Sequence, residues 1–367
     1  MIIHLTKGSG FCSILSHGCY CLPFSDLRGG CGFSRSIFRR SRFIPATSFL
    51  IGILSSGFRC FGLRGDGMTL PDVNELYATD ERCRELLERL RWPEGVMCPR
   101  CKDTRVSRMK EYARFECVGC EYQFTVTSGT IFHDSHLPLT RWFLAVLLLV
   151  EARKGMSAMQ LKRTLWGQHK GSYKTAWYLF HRIRAAMQTA ERPMMDGTVE
   201  MDETYVGGKQ RGVGSGWRKE KQIVIGIRQR GGDLRFFHAS DAKSGTLAQY
   251  IKDNVSTDVD VMMTDDFGAY PFAMDKSGVG RKRHKTINHS SGHYVDGDIH
   301  TNTVENAFSL LKRGIIGSWH KISAKHLPAY LAEMEFRFNR RKRSDLFIDT
   351  LRHMVTAPVL TFEKLTA

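Results

Sequence analysis

Two Cys-x-x-Cys pairs constrain this chain more than any other feature: Cys98-Pro99-Arg100-Cys101 and Cys117-Val118-Gly119-Cys120. Each pair can pinch one side of a metal ion. The 15 residues between them are enough for a hairpin that brings the pairs together. Four thiolates in tetrahedral geometry suit zinc, and this spacing is that of a zinc ribbon. Cys98, Cys101, Cys117 and Cys120 are therefore the expected ligands of a structural Zn2+. A small knuckle of this kind usually serves nucleic-acid or protein binding.

Charge narrows that choice. Lys and Arg outnumber Asp and Glu by 54 to 37, a net charge of +17 over 367 residues. Such a surface attracts polyanions, and nucleic acid is the commonest. Beyond the first 67 residues the ribbon cysteines are joined only by Cys83. That distribution argues against a secreted disulfide framework and for a reducing, intracellular setting.

Residues 1–67 read differently from the rest. They hold two acids, Asp26 and Asp66, against eight Lys and Arg. The apolar run from Phe43 to Phe58 is 16 residues long and is interrupted by Pro, Ser, Thr and Gly. That is short for a membrane span. The composition resembles an organelle transit peptide. It also fits upstream DNA translated from an early start, with Met68 opening the protein proper. The segment is expected to be an unstructured or mis-assigned extension, and no membrane association is expected.

From residue 68 onward the periodicities are those of a folded chain. Thr79 or Asp80 can cap a helix carrying Cys83, Leu86, Leu87 and Leu90, within an N-terminal helical stretch 68–92. The ribbon occupies 93–127. A helical segment follows over 138–192. Thr140 is the expected cap of an apolar helix through Val150, and Ser157 opens a second helix. A third runs from Tyr173 to about Met187. Short helix, turn and basic aromatic helix resemble a helix-turn-helix, with Lys174, Arg182 and Arg184 as candidate DNA contacts. Trihelical packing without DNA contact is the competing reading.

Strands take over in the segment 196–345. Alternation around Val199, Met201 and Tyr205 predicts one strand, and Gln222 to Ile227 a second. Leu234 to Ala239 predicts a third, joined to the second by a glycine-rich hairpin turn. A helix from Ser244 and a strand ending at Asp265 complete an α/β layout with a mixed sheet. Residues 346–367 are expected to form a C-terminal helix or tail. Asp202 lies inside an apolar strand, where a carboxylate is costly unless it is paired or holds a cation. Asp265 sits at a strand's carboxyl end, where open α/β sheets place functional groups. On the helical run from Asn302, the residues Val304, Ala307, Phe308 and Leu311 form a buried stripe, with Glu305 and Lys312 on its rim.

These residues carry a resemblance. Met201-Asp202-Glu203-Thr204-Tyr205-Val206-Gly207-Gly208-Lys209 resembles the first catalytic block of bacterial insertion-sequence DDE transposases. Thr264-Asp265-Asp266-Phe267-Gly268-Ala269-Tyr270 resembles the second, and His300 to Glu305 continuing through Lys312-Arg313-Gly314 the third. Trp319-His320 and Phe336-Arg337-Phe338-Asn339-Arg340 are similar to the family's C-terminal signature. The zinc-ribbon subgroup has the same domain order, and the resemblance spans about residues 72–343. It implies an RNase H-like mixed sheet flanked by helices. Asp202, Asp265 and Glu305 would bind two catalytic Mg2+ or Mn2+ ions, accompanied by Lys312. Asn302 is a rival to Glu305, and Asp266 to Asp265. The family's two bulky aromatics after the Glu are Ala307-Phe308 here.

The resemblance also implies binding to terminal inverted repeats, cleavage of the element's ends, joining of the 3′-hydroxyl to target DNA, and a homo-oligomer. It implies a cytoplasmic, nucleoid-associated protein of bacterial type. Two alternatives stay open: a zinc-ribbon DNA-binding protein with an inactive core, and a nuclease without strand transfer. His289 and His300 are candidates to contact DNA or to order the active-site loop. Arg313, Arg340 and Arg341 are candidate phosphate contacts.

Overall fold

In the computed structural model the chain divides into Met1–Arg59 and Cys60–Ala367. The structure describes residues 67–109, 113–188, 192–207, 221–287 and 300–367. The expected N-terminal extension and His289 lie outside them.

Within the stretch expected to be helical, Thr69 and Asp72 form a reciprocal capping box that starts a separate short helix, α1 (Leu70–Leu76). Thr79 caps α2 (Asp80–Arg91). The ribbon follows as three antiparallel strands, β1 (Val106–Met109), β2 (Arg114–Cys117) and β3 (Gln123–Phe124). Phe115 and Phe124 stack at 5.6 Å, and Trp92 meets both edge-on, which ties the ribbon to the end of α2.

Three helices come next: α3 (Leu139–Glu151), α4 (Ala158–Trp166) and α5 (Tyr173–Ala186). Ser157 and Ser172 cap α4 and α5. Thr140 is not the cap of α3. It lies in the first turn, and its amide donates to Asp80 of α2 at 3.3 Å.

The α/β part begins with β4 (Thr198–Val206), β5 (Gln222–Gln229) and β6 (Leu234–Ala239), then α6 (Ser244–Asn254), β7 (Val261–Asp265), α7 (Tyr270–Ser277) and β8 (His284–Ile287). The five strands order as β6-β5-β4-β7-β8. Pairing is antiparallel from β6 to β4 and parallel from β4 to β8. This is the mixed sheet flanked by helices that the resemblance implies. One face packs on α6 and α7 through Val199, Met201 and Tyr270. The other packs on α8 (Asn302–Gly314) and α9 (Leu327–Asn339) through Val224, Phe236 and Phe308.

Two further helices end the chain, α10 (Leu346–Thr356) and α11 (Phe362–Thr366). Rather than trailing as a tail, α10 is core. Leu346, Phe347, Leu351, Met354 and Val355 are buried in one cluster with residues of α2, α3 and α5. No helix of the described residues is long and apolar enough to cross a membrane.

Candidate active site

The ribbon cysteines converge. Their sulfurs all lie within 4.8 Å of one another. Cys98 and Cys120 are 3.7 Å apart, and Cys101 and Cys117 are 3.4 Å apart. Zn–S bonds of about 2.3 Å in a tetrahedron would set sulfurs about 3.8 Å apart, so the donor set fits zinc in type and spacing. Both knuckles are the same turn. Lys102 and Glu121 each follow the second cysteine in a left-handed conformation, and each donates its amide to the first cysteine's carbonyl, at 3.0 and 2.9 Å.

Sheet register assembles the acids. The parallel ladder pairs Thr198 with Val261, Val199 with Met262 and Glu200 with Met263. Carried two residues further, that offset brings Asp202 level with Asp265. Parallel partners point to the same face. Asp266 lies beyond the strand and is exposed, so the register favours Asp265 over its rival.

A glycine brings in the third acid. Across the antiparallel ladder Asp202 pairs with Gly226 of β5. A Cβ at Gly226 would meet the Phe308 ring at 2.8 Å and the Val304 methyl at 2.9 Å. Only hydrogen there lets α8 settle this close to β5. Glu305, next to Val304, is half-buried and accepts from the Thr301 hydroxyl at 2.9 Å. Its rival Asn302 is exposed at the first helical position. Lys312 and Arg313 are exposed two turns further on.

The electrostatics report the clustering. Burial first, then the charges of Glu203, Asp265 and Glu305, push the Asp202 carboxyl up to about 7. A carboxyl raised by neighbouring carboxylates gains from a shared hard cation, and oxygen donors suit Mg2+ or Mn2+. Among the described residues no acidic group converges as tightly as the four thiols, so this is the more open site.

Comparison with known proteins agrees with this layout. A model described as ISXO2-like transposase domain matches residues 194–339, and a transposase zinc-ribbon domain matches residues 78–123. A protein of Halobacterium salinarum, described as an uncharacterized protein in transposable element ISH50, is 30% identical over 282 residues. The match covers 71% of this chain and 91% of that protein. The chain belongs to the IS1595 transposase family.

Several expected DNA contacts in this transposase are committed elsewhere. Arg184 is buried against Glu333 at 2.7 Å, with its guanidinium 3.9 Å from the Tyr330 ring. Arg182 donates to the His133 carbonyl and lies against the rings of Trp142 and Tyr178. Helix α5 buries eight of its 14 residues, which leaves little face for a groove. Trihelical packing is the better account of this helix. Arg340 pairs with Asp349 at 2.9 Å and stacks on Phe336. His300 is half-buried and contacts Arg230 and Glu200. Lys174, Arg313 and Arg341 are exposed.

The C-terminal signature is largely structural. Asn339 donates to the Leu234 carbonyl at 2.9 Å and accepts from its amide at 2.8 Å, while Glu335 accepts from Phe236 N at 3.1 Å. One helical turn apart, these side chains satisfy alternate backbone groups along the β6 edge. Arg337 donates to the Ala152 carbonyl beyond the end of α3.

The contacts of Glu200 and Glu203 near the site escaped sequence reasoning. Glu203 accepts from the fully buried Tyr270 hydroxyl at 2.6 Å. Glu200 is completely buried, and Arg230 pairs with it at 2.7 Å. Their one signal in the sequence is acid density on an apolar strand: Glu200, Asp202 and Glu203 within four residues.

Proposed function

We propose that the chain is the transposase of an insertion element, which binds the element's terminal inverted repeats, cleaves the ends and joins each 3′-hydroxyl to target DNA. The observation that carries this reading is the β4–β7 register, which levels Asp202 with Asp265 under a helix delivering Glu305. These three carboxylates would hold a pair of divalent cations. When bound, such ions activate the attacking oxygen and stabilise charge on the leaving one. Half-burial of Asp202 and Glu305 limits competing water. The exposed Lys312 and Arg313, on the helix that carries Glu305, are positioned to meet phosphates of an approaching strand. The ribbon and the exposed cations would recognise the ends. Joining two ends calls for at least two copies of the chain.

The test is a cleavage and strand-transfer assay on duplexes taken from the DNA flanking the gene, with Mg2+ or Mn2+. Asp202→Asn and Asp265→Asn are each expected to lower cleavage by about 100- to 1,000-fold, the order of loss seen when a group central to electrostatic stabilisation is removed. Both should retain duplex binding. Cleavage that survives either substitution would sink the reading. Cleavage without joining would favour a nuclease, and binding without cleavage an inactive core.

A further inference from the structure

Helix α8 begins without a cap of its own. Thr301, the residue before it, makes no capping hydrogen bond to its first turn. A helix N-terminus with free amides needs acceptors. They come from a different element. One carboxylate oxygen of Glu200, on β4, accepts from Thr303 N at 3.0 Å, from the Thr303 hydroxyl at 2.7 Å and from Val304 N at 3.0 Å. The other oxygen faces Arg230 Nε at 2.7 Å and His300 Nδ1 at 3.4 Å. Arg230 also reaches the His300 carbonyl at 2.9 Å.

Position gives this network its meaning. Glu200 precedes Asp202 by two residues, so both point to the same sheet face, about 7 Å apart along the strand. Val304, whose amide Glu200 holds, immediately precedes Glu305. The carboxylate therefore joins the strand bearing one candidate metal-binding acid to the helix turn bearing another. It is completely buried, which makes it costly to displace while its donors surround it.

We infer that Glu200 is the positioning residue that fixes Glu305 relative to Asp202, acting through the first turn of α8, with Arg230 as its counter-charge and the His300 ring beside it. The inference rests on the proposed metal-binding role of those acids. Glu200 itself is turned to the helix amides, to Arg230 and to His300.

The experiment is calorimetric titration of Mn2+ into the zinc-loaded full chain, comparing wild type with Glu200→Gln and Thr303→Val. Removing an outer group that orients a ligand typically weakens metal affinity by about 10–100-fold. Glu200→Gln is expected to fall in that range, with thermal unfolding still cooperative. Thr303→Val, which deletes one donor and keeps the side chain's shape, should give a smaller loss in the same direction. It keeps the test decisive should Glu200→Gln not fold. Wild-type Mn2+ affinity in Thr303→Val, or in folded Glu200→Gln, overturns the inference. Mn2+ binding by wild type without any DNA cleavage would defeat the proposed function instead, while the affinity ratio would still decide the role of Glu200.

Discussion

At the scale of single residues, polar groups in this protein are placed by what surrounds them, and His181 shows the consequence. It is buried, and neither ring nitrogen has a hydrogen-bond partner. Trp177, His326 and Tyr330 enclose the ring. Burial, then the charges of Arg184 and His326, hold its pKa down at about 3. The unfolded chain takes up this proton near pH 6.5. Stability from a neutral His181 is therefore fully present above about pH 6.5 and is lost as pH falls toward 3. His181→Leu should flatten the decline in unfolding free energy between pH 7 and 4 while costing little at pH 8. Denaturant titrations of both proteins across that range check it. An equally steep decline in the variant would refute the assignment. Sequence reading had no access to this. A histidine on an aromatic helix looks the same whether solvated or enclosed.

At the scale of elements, α5 is the instructive case. Its basic and aromatic residues read as a DNA-recognition helix, yet tertiary packing turns Phe180, Arg182 and Arg184 inward and leaves Tyr173 and Lys174 exposed. Arg184, Glu333 and Arg337 form a buried charge group, with 2.7 and 3.0 Å contacts. Removing one member leaves desolvated charge behind, at a cost of the order of 3 kcal/mol. Arg184→Ala is thus expected to lower the denaturation midpoint sharply, while the fraction that remains folded binds end duplex with unchanged affinity. The reverse result, full stability with weakened DNA binding, would restore the recognition-helix reading. By contrast α8 was legible in advance. Its stripe of Val304, Ala307, Phe308 and Leu311 is buried as the 3.6-residue period requires, and Glu305 and Lys312 lie outside the stripe. The cap on α8 was not legible, because its acceptor lies 103 residues away in sequence.

At the scale of the whole molecule, the helical core is closed by the chain's C-terminal part. Helix α10 contributes five buried apolar side chains to the cluster built from α2, α3 and α5. At about 1.5–3 kcal/mol for each such side chain, its loss would exceed what a marginally stable core can spare. A chain ending at residue 345 is expected to lose cooperative thermal unfolding of the helical part and to expose apolar surface. A truncated protein with wild-type melting behaviour would show that α10 is dispensable. The same long-range logic explains why the motif Phe336 to Arg340 resembles a functional signature. Its asparagine and arginines bind the β6 edge, the segment after α3, and α10.

Local pattern was enough for the ribbon cysteines, the cap at Ser157, the hairpin and the apolar faces, since each depends on neighbours a few residues away. It also singled out Asp202 as a carboxylate inside an apolar strand and Asp265 at a strand's carboxyl end, while Glu305 stood out through the family resemblance. Their meeting was not written locally. It comes from a parallel register between strands some 60 residues apart and from a glycine that admits one helix. Nor could pattern separate cations facing solvent from those closed inside the core. Burial of charge is decided by which surfaces come together, and only the folded chain brings them together.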